Sequence, residues 1–416
     1  MTSASPTLPF ETGVFDELAE APNPKPTAAD KRGFGKLASL YTSFSRDFAR
    51  FILDQCLDSG HHTIADPFCG MGTLGEAGRG LPVHLVMNDL NPFAALASVF
   101  RTAPSNEILN ALDLVQTVQL SSCRQDEVEV FRKATTHLLG GKNLSRNLSE
   151  HNRASLLAAL IIGLIRTKVH GQLGGSNPTW MRRDVSLQVD SELLVASRSI
   201  VESSVRELAG QMEPLDPRFR ADSFSSDVQK LGLGPASLDA IITSPPYPNR
   251  TDYIRHYLPA AELFLSSCKT SERDMRETQI GTPLIRTPSG RRPFANSVAS
   301  ILEAIRTHPS YASESYYVKG FEQYFDDMRH SISLFSRWIK PGGDLFLVLQ
   351  DVHYKDLRVP VTDLILELAE ESGFAFRARR DFRVQSTLSN MSPHSRRSGK
   401  SRKSFESVLR LSRLSR

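Results

Sequence analysis

The sequence predicts a doubly wound α/β fold interrupted by a helical insertion. Three observations predict it. Short apolar runs of strand length recur along the chain, each ending in polar or acidic residues. A glycine-rich turn joins the first run to a helix and an acid closes the second, which is how a βαβ unit of such a sheet opens. The stretch between the second and third runs reads mostly as helix and is too long for a simple crossover.

Residues 1–30 are rich in Pro, Ala, Thr and Ser and are expected to be loosely ordered. Ser43 or Ser45 can cap a helix over 46–57, with Phe48, Phe51, Ile52 and Leu57 on one side. The stretch from Thr63 to Ala77, which holds Asp66, Pro67, Phe68, Gly70, Met71 and Gly72, then reads as a short buried strand, a glycine-rich turn and the start of a helix. The second strand, 83–87, runs into Asn88-Asp89. Residues 31–100 thus form the first part of the α/β domain, and 101–215 form the inserted helical subdomain. The apolar run 156–165 within it is too short for a bilayer and predicts a buried helix. The α/β pattern resumes over 216–416, with strands expected at 219–224, 238–243, 345–349, 374–376 and 407–411 and helices at 324–338 and 361–372. The 250–315 region, rich in Arg, Thr, Ser and Pro, predicts a long lid-like loop.

A chain of 416 residues with 40% hydrophobic and 23% charged residues is globular, with room for one large domain or two to three ordinary ones. Four cysteines without a CxxC pair argue against a zinc site and a disulfide framework, and a reducing cytoplasm is the simplest home. The first residues, Met1 to Pro6, carry no basic start and no apolar core, so no secretory signal is expected. The net charge of +4 hides an asymmetry. From Arg396 onward there are eight basic residues, among them Arg396, Arg397, Lys400, Arg402 and Lys403, and a single acid, Glu406. Such a cluster can contact phosphates; a solvated tail is the alternative.

Two turns carry chemistry. The glycines at Gly70 and Gly72 let backbone approach a ligand, and Asp89 stands where an acid can accept hydrogen bonds from ribose hydroxyls. The third glycine of a dinucleotide loop is missing, no Gly-Lys-Ser/Thr follows, and Asp66 repels phosphate. A cationic nucleoside cofactor without phosphates fits better, and S-adenosyl-L-methionine is one; a plain turn between core elements is the alternative. The second turn is Thr243-Ser244-Pro245-Pro246-Tyr247 behind an apolar strand. The prolines fix φ and offer carbonyls without amide donors, Ser244 adds a hydroxyl acceptor, and Tyr247 adds a ring face. The set suits a planar amine such as the exocyclic NH2 of a nucleobase; an ordinary strand exit is the alternative.

Together these pieces resemble the S-adenosylmethionine-dependent amino-group DNA methyltransferases, over perhaps half of the chain. Asp66-Pro67-Phe68-Cys69-Gly70-Met71-Gly72-Thr73 resembles that family's cofactor motif, and Thr243-Ser244-Pro245-Pro246-Tyr247 its catalytic motif. Thr42, Ser43 and Phe44 sit where an upstream cofactor-contacting segment would sit, Asp89 matches the ribose acid, and Asp222 matches the position near the adenine. The resemblance implies a Rossmann-like doubly wound methyltransferase sheet. It implies a DNA substrate, a restriction-modification or defence setting and a possible cognate restriction endonuclease. Ser244, Pro245, Pro246 and Tyr247 become the catalytic turn, and Asn249 and Arg250 shape the base pocket or hold phosphate, with simple loop capping as the alternative for these two. Serine at the head of the motif points to cytosine N4 ahead of adenine N6. The C5-cytosine chemistry needs a cysteine after a proline, which none of the four provides. The helical insertion departs from the family pattern and leaves target recognition to 101–215, 250–315 or both. An RNA amino-methyltransferase and a non-catalytic binding module are the other classes.

Overall fold

The computed structural model of the protein describes residues 18–32, 34–37, 44–118, 150–174, 191–248, 252, 254, 271–286, 293–294, 296–384 and 404–415. The strands are β1 (Thr63–Asp66), β2 (His84–Asp89), β3 (Arg220–Ser225), β4 (Leu238–Thr243), β5 (Ile339–Gln350), β6 (Val352–Tyr354), β7 (Leu357–Val359), β8 (Phe374–Val384) and β9 (Ser404–Arg413). Seven of them form one sheet in the order β3-β2-β1-β4-β5-β9-β8, and β6 and β7 make a separate hairpin. The first five pair in parallel, while β9 is antiparallel to both β5 and β8. This is a mixed α/β sheet with its direction of winding reversing beside β1, so the carboxyl ends of β1 and β4 flank the crevice where such sheets bind ligands.

Side-chain alternation explains why helices cover both faces. Ile64, Leu85, Met87, Ala240, Ile242, Phe346, Val348 and Val408 point into one core with Phe48, Ile52 and Leu53 of the helix Arg46–Asp58. Their neighbours Ala65, Val86, Ile241, Leu345, Leu347 and Leu409 point into the other. There the helix Val318–Trp338 presents Phe321, Phe325, Met328, Ile332 and Phe335 at three- and four-residue spacing. Burying each such side chain contributes about 1.5–3 kcal/mol.

A third core holds the helices Pro92–Thr102, Ser105–Thr117, Glu150–Gly174 and Ser191–Gln211. The expected buried helix is present: Leu156 to Ile162 are wholly buried because neighbouring helices cover it from all sides. Among the described residues, no helix is long and apolar enough to cross a membrane.

Three expectations are corrected. Leu18 and Ala21, in the stretch expected to be loose, are buried in the core beside helix Arg46–Asp58, and the Leu18 carbonyl accepts from Arg380 Nη1 at 2.7 Å. The 250–315 region is not all loop. Ser271 and Asp274 form a capping box that starts the helix Glu272–Thr278, and a second helix, Asn296–Arg306, packs through Val298, Leu302 and Ile305. The strand expected over 345–349 begins earlier, at Ile339, with Lys340 to Gly343 inside β5 as an irregularity of its pairing with β4. Glycine is needed there, because a Cβ on Gly343 would fall 2.3 Å from the Asp239 carbonyl oxygen.

Candidate functional site

The two motif turns meet because β1 and β4 are adjacent parallel strands. Thr243, the last residue of β4, donates its hydroxyl to Asp66 Oδ1 at 2.6 Å, and Asp66 is the last residue of β1. Both side chains are buried. Burial pushes the Asp66 carboxyl up to about 7; the Thr243 and Phe68 hydrogen bonds oppose the rise and nearby Asp89 adds to it.

Asp89 ends β2 and organises the glycine turn. Its Oδ2 accepts the Gly70 N–H at 2.9 Å and its Oδ1 the Asn91 N–H at 2.8 Å. Burial raises its carboxyl to about 6 against those two hydrogen bonds. The two glycines serve different needs. Gly70 has φ +49° with open space around a would-be Cβ, so its demand is conformational. Gly72 has φ +80°, and a Cβ there would lie 2.5 Å from Ser98 Cα on helix Pro92–Thr102. Its absence of a side chain lets that helix close onto the turn.

The other cofactor candidates divide. Phe68 packs edge-on to Phe335 with centroids 6.2 Å apart, and the Pro67 carbonyl accepts from Asn88 Nδ2 at 3.1 Å. Thr73 faces inward, its hydroxyl accepting from Arg101 Nη1 at 3.1 Å, while the same guanidinium holds the Met71 carbonyl. Phe44 is buried against Phe48, 5.8 Å between centroids. Thr42 and Ser43 lie outside the described residues. The structure does not bring Asp222 to the edge. It pairs with Val86, three residues short of the end of β3, and its carboxylate meets His84 Nε2 at 2.8 Å near the start of β2. The acid beyond the end of β3 is Asp227, whose Oδ1 caps a short turn by accepting the Gln229 N–H at 3.0 Å. The segment carrying it is tied to β2, since Ser226 N–H donates to the Asp89 carbonyl at 3.1 Å. The run Ser225-Ser226-Asp227 after the strand was the available signal.

At the second turn Pro245 is buried and Ser244, Pro246 and Tyr247 are half-buried. Ser244 Oγ and Tyr247 Oη are 3.2 Å apart, and Tyr247 Oη donates to Glu406 Oε1 at 3.3 Å. Glu406 lies on β9 opposite Gln350 and ion-pairs with Lys25 Nζ at 2.9 Å. From behind, Gly281 at φ +71° comes so close that a Cβ would be 2.7 Å from the Tyr247 carbonyl oxygen. Sequence reasoning missed Lys25, Glu406 and Gly281 as site neighbours. Glu406 had one signal, being the single acid in the basic C-terminal segment.

Asn249, Arg250, Arg396, Arg397, Lys400, Arg402 and Lys403 lie outside the described residues. In sequence the last five fall between Val384 and Ser404, which pair with each other, and Ser404 stands two residues before Glu406. Cys69, within the glycine turn, is buried, and desolvation holds its thiol well above the usual range. Among the described residues no group of His, Cys, Asp and Glu is placed to hold a metal.

No protein-family model matches the chain. A curated relative, the Type II methyltransferase M.BsoBI of Geobacillus stearothermophilus, is 28% identical over 162 residues. That match covers 33% of this chain and 31% of the relative, so the chain spans about a third of the length of the protein it matches. A solved structure of a SAM-dependent methyltransferase from Methanosarcina mazei aligns over 86% of this chain and 94% of its own, at 9% identity and a TM-score of 0.29.

Proposed function

We propose that the protein moves a methyl group from S-adenosyl-L-methionine to the exocyclic amine of a flipped DNA base, cytosine N4 ahead of adenine N6. The observation that carries this reading is the Thr243–Asp66 hydrogen bond of 2.6 Å. It sets a turn suited to a cationic nucleoside beside a turn suited to a planar amine, one residue from each motif's core. The partial match to a Type II methyltransferase supports it.

The residues present fit a sulfonium cofactor. The edge holds the raised carboxyls of Asp66 and Asp89, which a nearby cation favours in the ionised form and a phosphate would oppose. Asp89, Gly70 and Phe68 would hold the nucleoside, with Asp227 in place of Asp222 near its base; Gly72 and Thr73 would support the turn from below. S-adenosylmethionine supplies an electrophilic methyl group. The chain's own contribution is to the amine. A nucleobase NH2 is a poor nucleophile because its lone pair is delocalised into the ring. Acceptors at Ser244 Oγ and the Pro245 carbonyl take its hydrogens, localise the lone pair and stabilise positive charge on nitrogen as it develops. Tyr247 stacks on the base that has left the duplex. Basic residues 396–403 meet phosphate, and residues 101–215, residues 250–315 or both supply target recognition.

The test is incubation with DNA or RNA and isotope-labelled S-adenosylmethionine, followed by mass spectrometry of the nucleosides. N4-methylcytosine in DNA is the expected product. N6-methyladenine, label confined to RNA, or cofactor binding without transfer would each replace the reading with a different one. Neutralising Arg396, Arg397, Lys400, Arg402 and Lys403 should flatten the plot of log affinity against log salt by up to about 4–5 in slope. An unchanged slope would remove the phosphate contacts from the proposal.

A further inference from the structure

Tyr247 has one hydroxyl hydrogen, and Ser244 Oγ at 3.2 Å and Glu406 Oε1 at 3.3 Å both lie within reach of its oxygen. A carboxylate only accepts, whereas a serine hydroxyl either donates or accepts. The Glu406 carboxylate, ion-paired with Lys25 at 2.9 Å, therefore takes the tyrosine hydrogen. Tyr247 Oη is left as an acceptor, and Ser244 donates its own hydrogen to it. With that hydrogen committed, Ser244 keeps its lone pairs for the amine.

We infer that Glu406 is a positioning residue which, through Tyr247, sets the direction of the hydrogen-bond chain so that Ser244 presents lone pairs to the substrate amine. The inference rests on the amine-methylating reading of this turn. Stability alone accounts badly for Glu406. It is 4% exposed, and its Oε2 is buried with no hydrogen-bond partner among the described residues. A buried carboxylate satisfied on one oxygen weakens a fold relative to an apolar residue of the same size. Its position is also unforced by the sheet, whose ladder uses only the backbone of β9.

The experiment compares wild type, Glu406→Gln, Tyr247→Phe and the double variant in steady-state methyl transfer and in 13C NMR of the Tyr247 ring at fixed pH. Glutamine keeps the size of glutamate but can turn its NH2 toward Tyr247 Oη, which would send the tyrosine hydrogen to Ser244 and the serine hydrogen toward the amine. Glu406→Gln should lower kcat on the order of 10- to 100-fold while leaving KM for cofactor and DNA within about twofold. The Tyr247 Cζ resonance, assigned by its loss in Tyr247→Phe, should shift. In the Tyr247→Phe background the same change should cost less than about twofold, since the relay is already cut. An unchanged kcat, an equal loss in both backgrounds, or an unmoved Cζ resonance would overturn the inference. A wild type that labels no amine in DNA or RNA would instead overturn the functional reading, and with it the role given to the chain; the NMR comparison would still decide whether Glu406 holds Tyr247.

Discussion

The turn after β1 closes on its near neighbours. Asp89 takes the Gly70 and Asn91 amides, Arg101 takes the Met71 carbonyl and the Thr73 hydroxyl, and Gly72 lies against Ser98. The turn after β4 hands its groups to residues far away in sequence: Tyr247 reaches Glu406, 159 positions on, Glu406 reaches Lys25, and Gly281 closes from behind. A rigid, locally built turn suits a ligand used in every cycle. A turn held by three remote segments can be tuned, or lost, through any of them. Changes at the first should therefore act on folding and cofactor affinity, and changes at the second on turnover.

The sharpest separation comes from Tyr247→Ala. It should cut methyl transfer by about 1,000-fold while cofactor affinity, read by calorimetry, stays within about twofold, because stacking and the relay vanish together. Loss of cofactor affinity in a folded variant would erase the division. On the other side, Gly72→Ala should destabilise the protein by about 3–4 kcal/mol in denaturant titrations, from collision with Ser98 added to the left-handed backbone. Gly70→Ala meets only the backbone cost of about 1 kcal/mol, so the pair separates packing from conformation.

The raised carboxyls give a pH test. Asp66 and Asp89 titrate near 7 and 6 in the fold against 3.8 for the free side chain. The folded state thus binds more protons, and the stability these groups lend is full below pH 3.8 and lost as pH rises through 6 to 7. Cofactor affinity should run the other way, rising about tenfold from pH 5.5 to 8 as the carboxylates form. Asp66→Asn, which keeps an acceptor for Thr243, should flatten much of that rise. The smallest effect is expected from Gly281→Ala. A methyl group against the Tyr247 carbonyl should lower kcat about threefold with KM for cofactor unchanged, at about 2–3 kcal/mol of stability from the left-handed backbone and the contact together. An equal effect on cofactor KM would mean that the two turns are one unit.

What was legible in the sequence follows the same division. β1, β2, β4 and the glycine turn are spelled by contiguous apolar residues and a local φ requirement. Helix Asn296–Arg306 was not read, although Val298, Ile301, Leu302 and Ile305 recur at helical spacing, because its surroundings, rich in Arg, Thr, Ser and Pro, spelled loop. The start of β5 at Ile339, ahead of the expected 345, was hidden because Lys340 to Gly343 carry no apolar run and their pairing partner, β4, lies about a hundred residues earlier. Asp222 was assigned to the position near the adenine by resemblance alone, and its place in mid-strand shows only in the register of β3 with β2. Lys25 and Glu406 had no local signature of a shared site.

β9 lies between β5 and β8 in the sheet although it follows β8 in the chain. During synthesis, β8 leaves the ribosome before β9, the strand it pairs with. Tyr247 acquires its carboxylate only when β9 slides into that gap. The contacts of the glycine turn all come from residues made well before β9, whereas the Tyr247–Glu406 hydrogen bond waits for the last strand of the sheet to be translated.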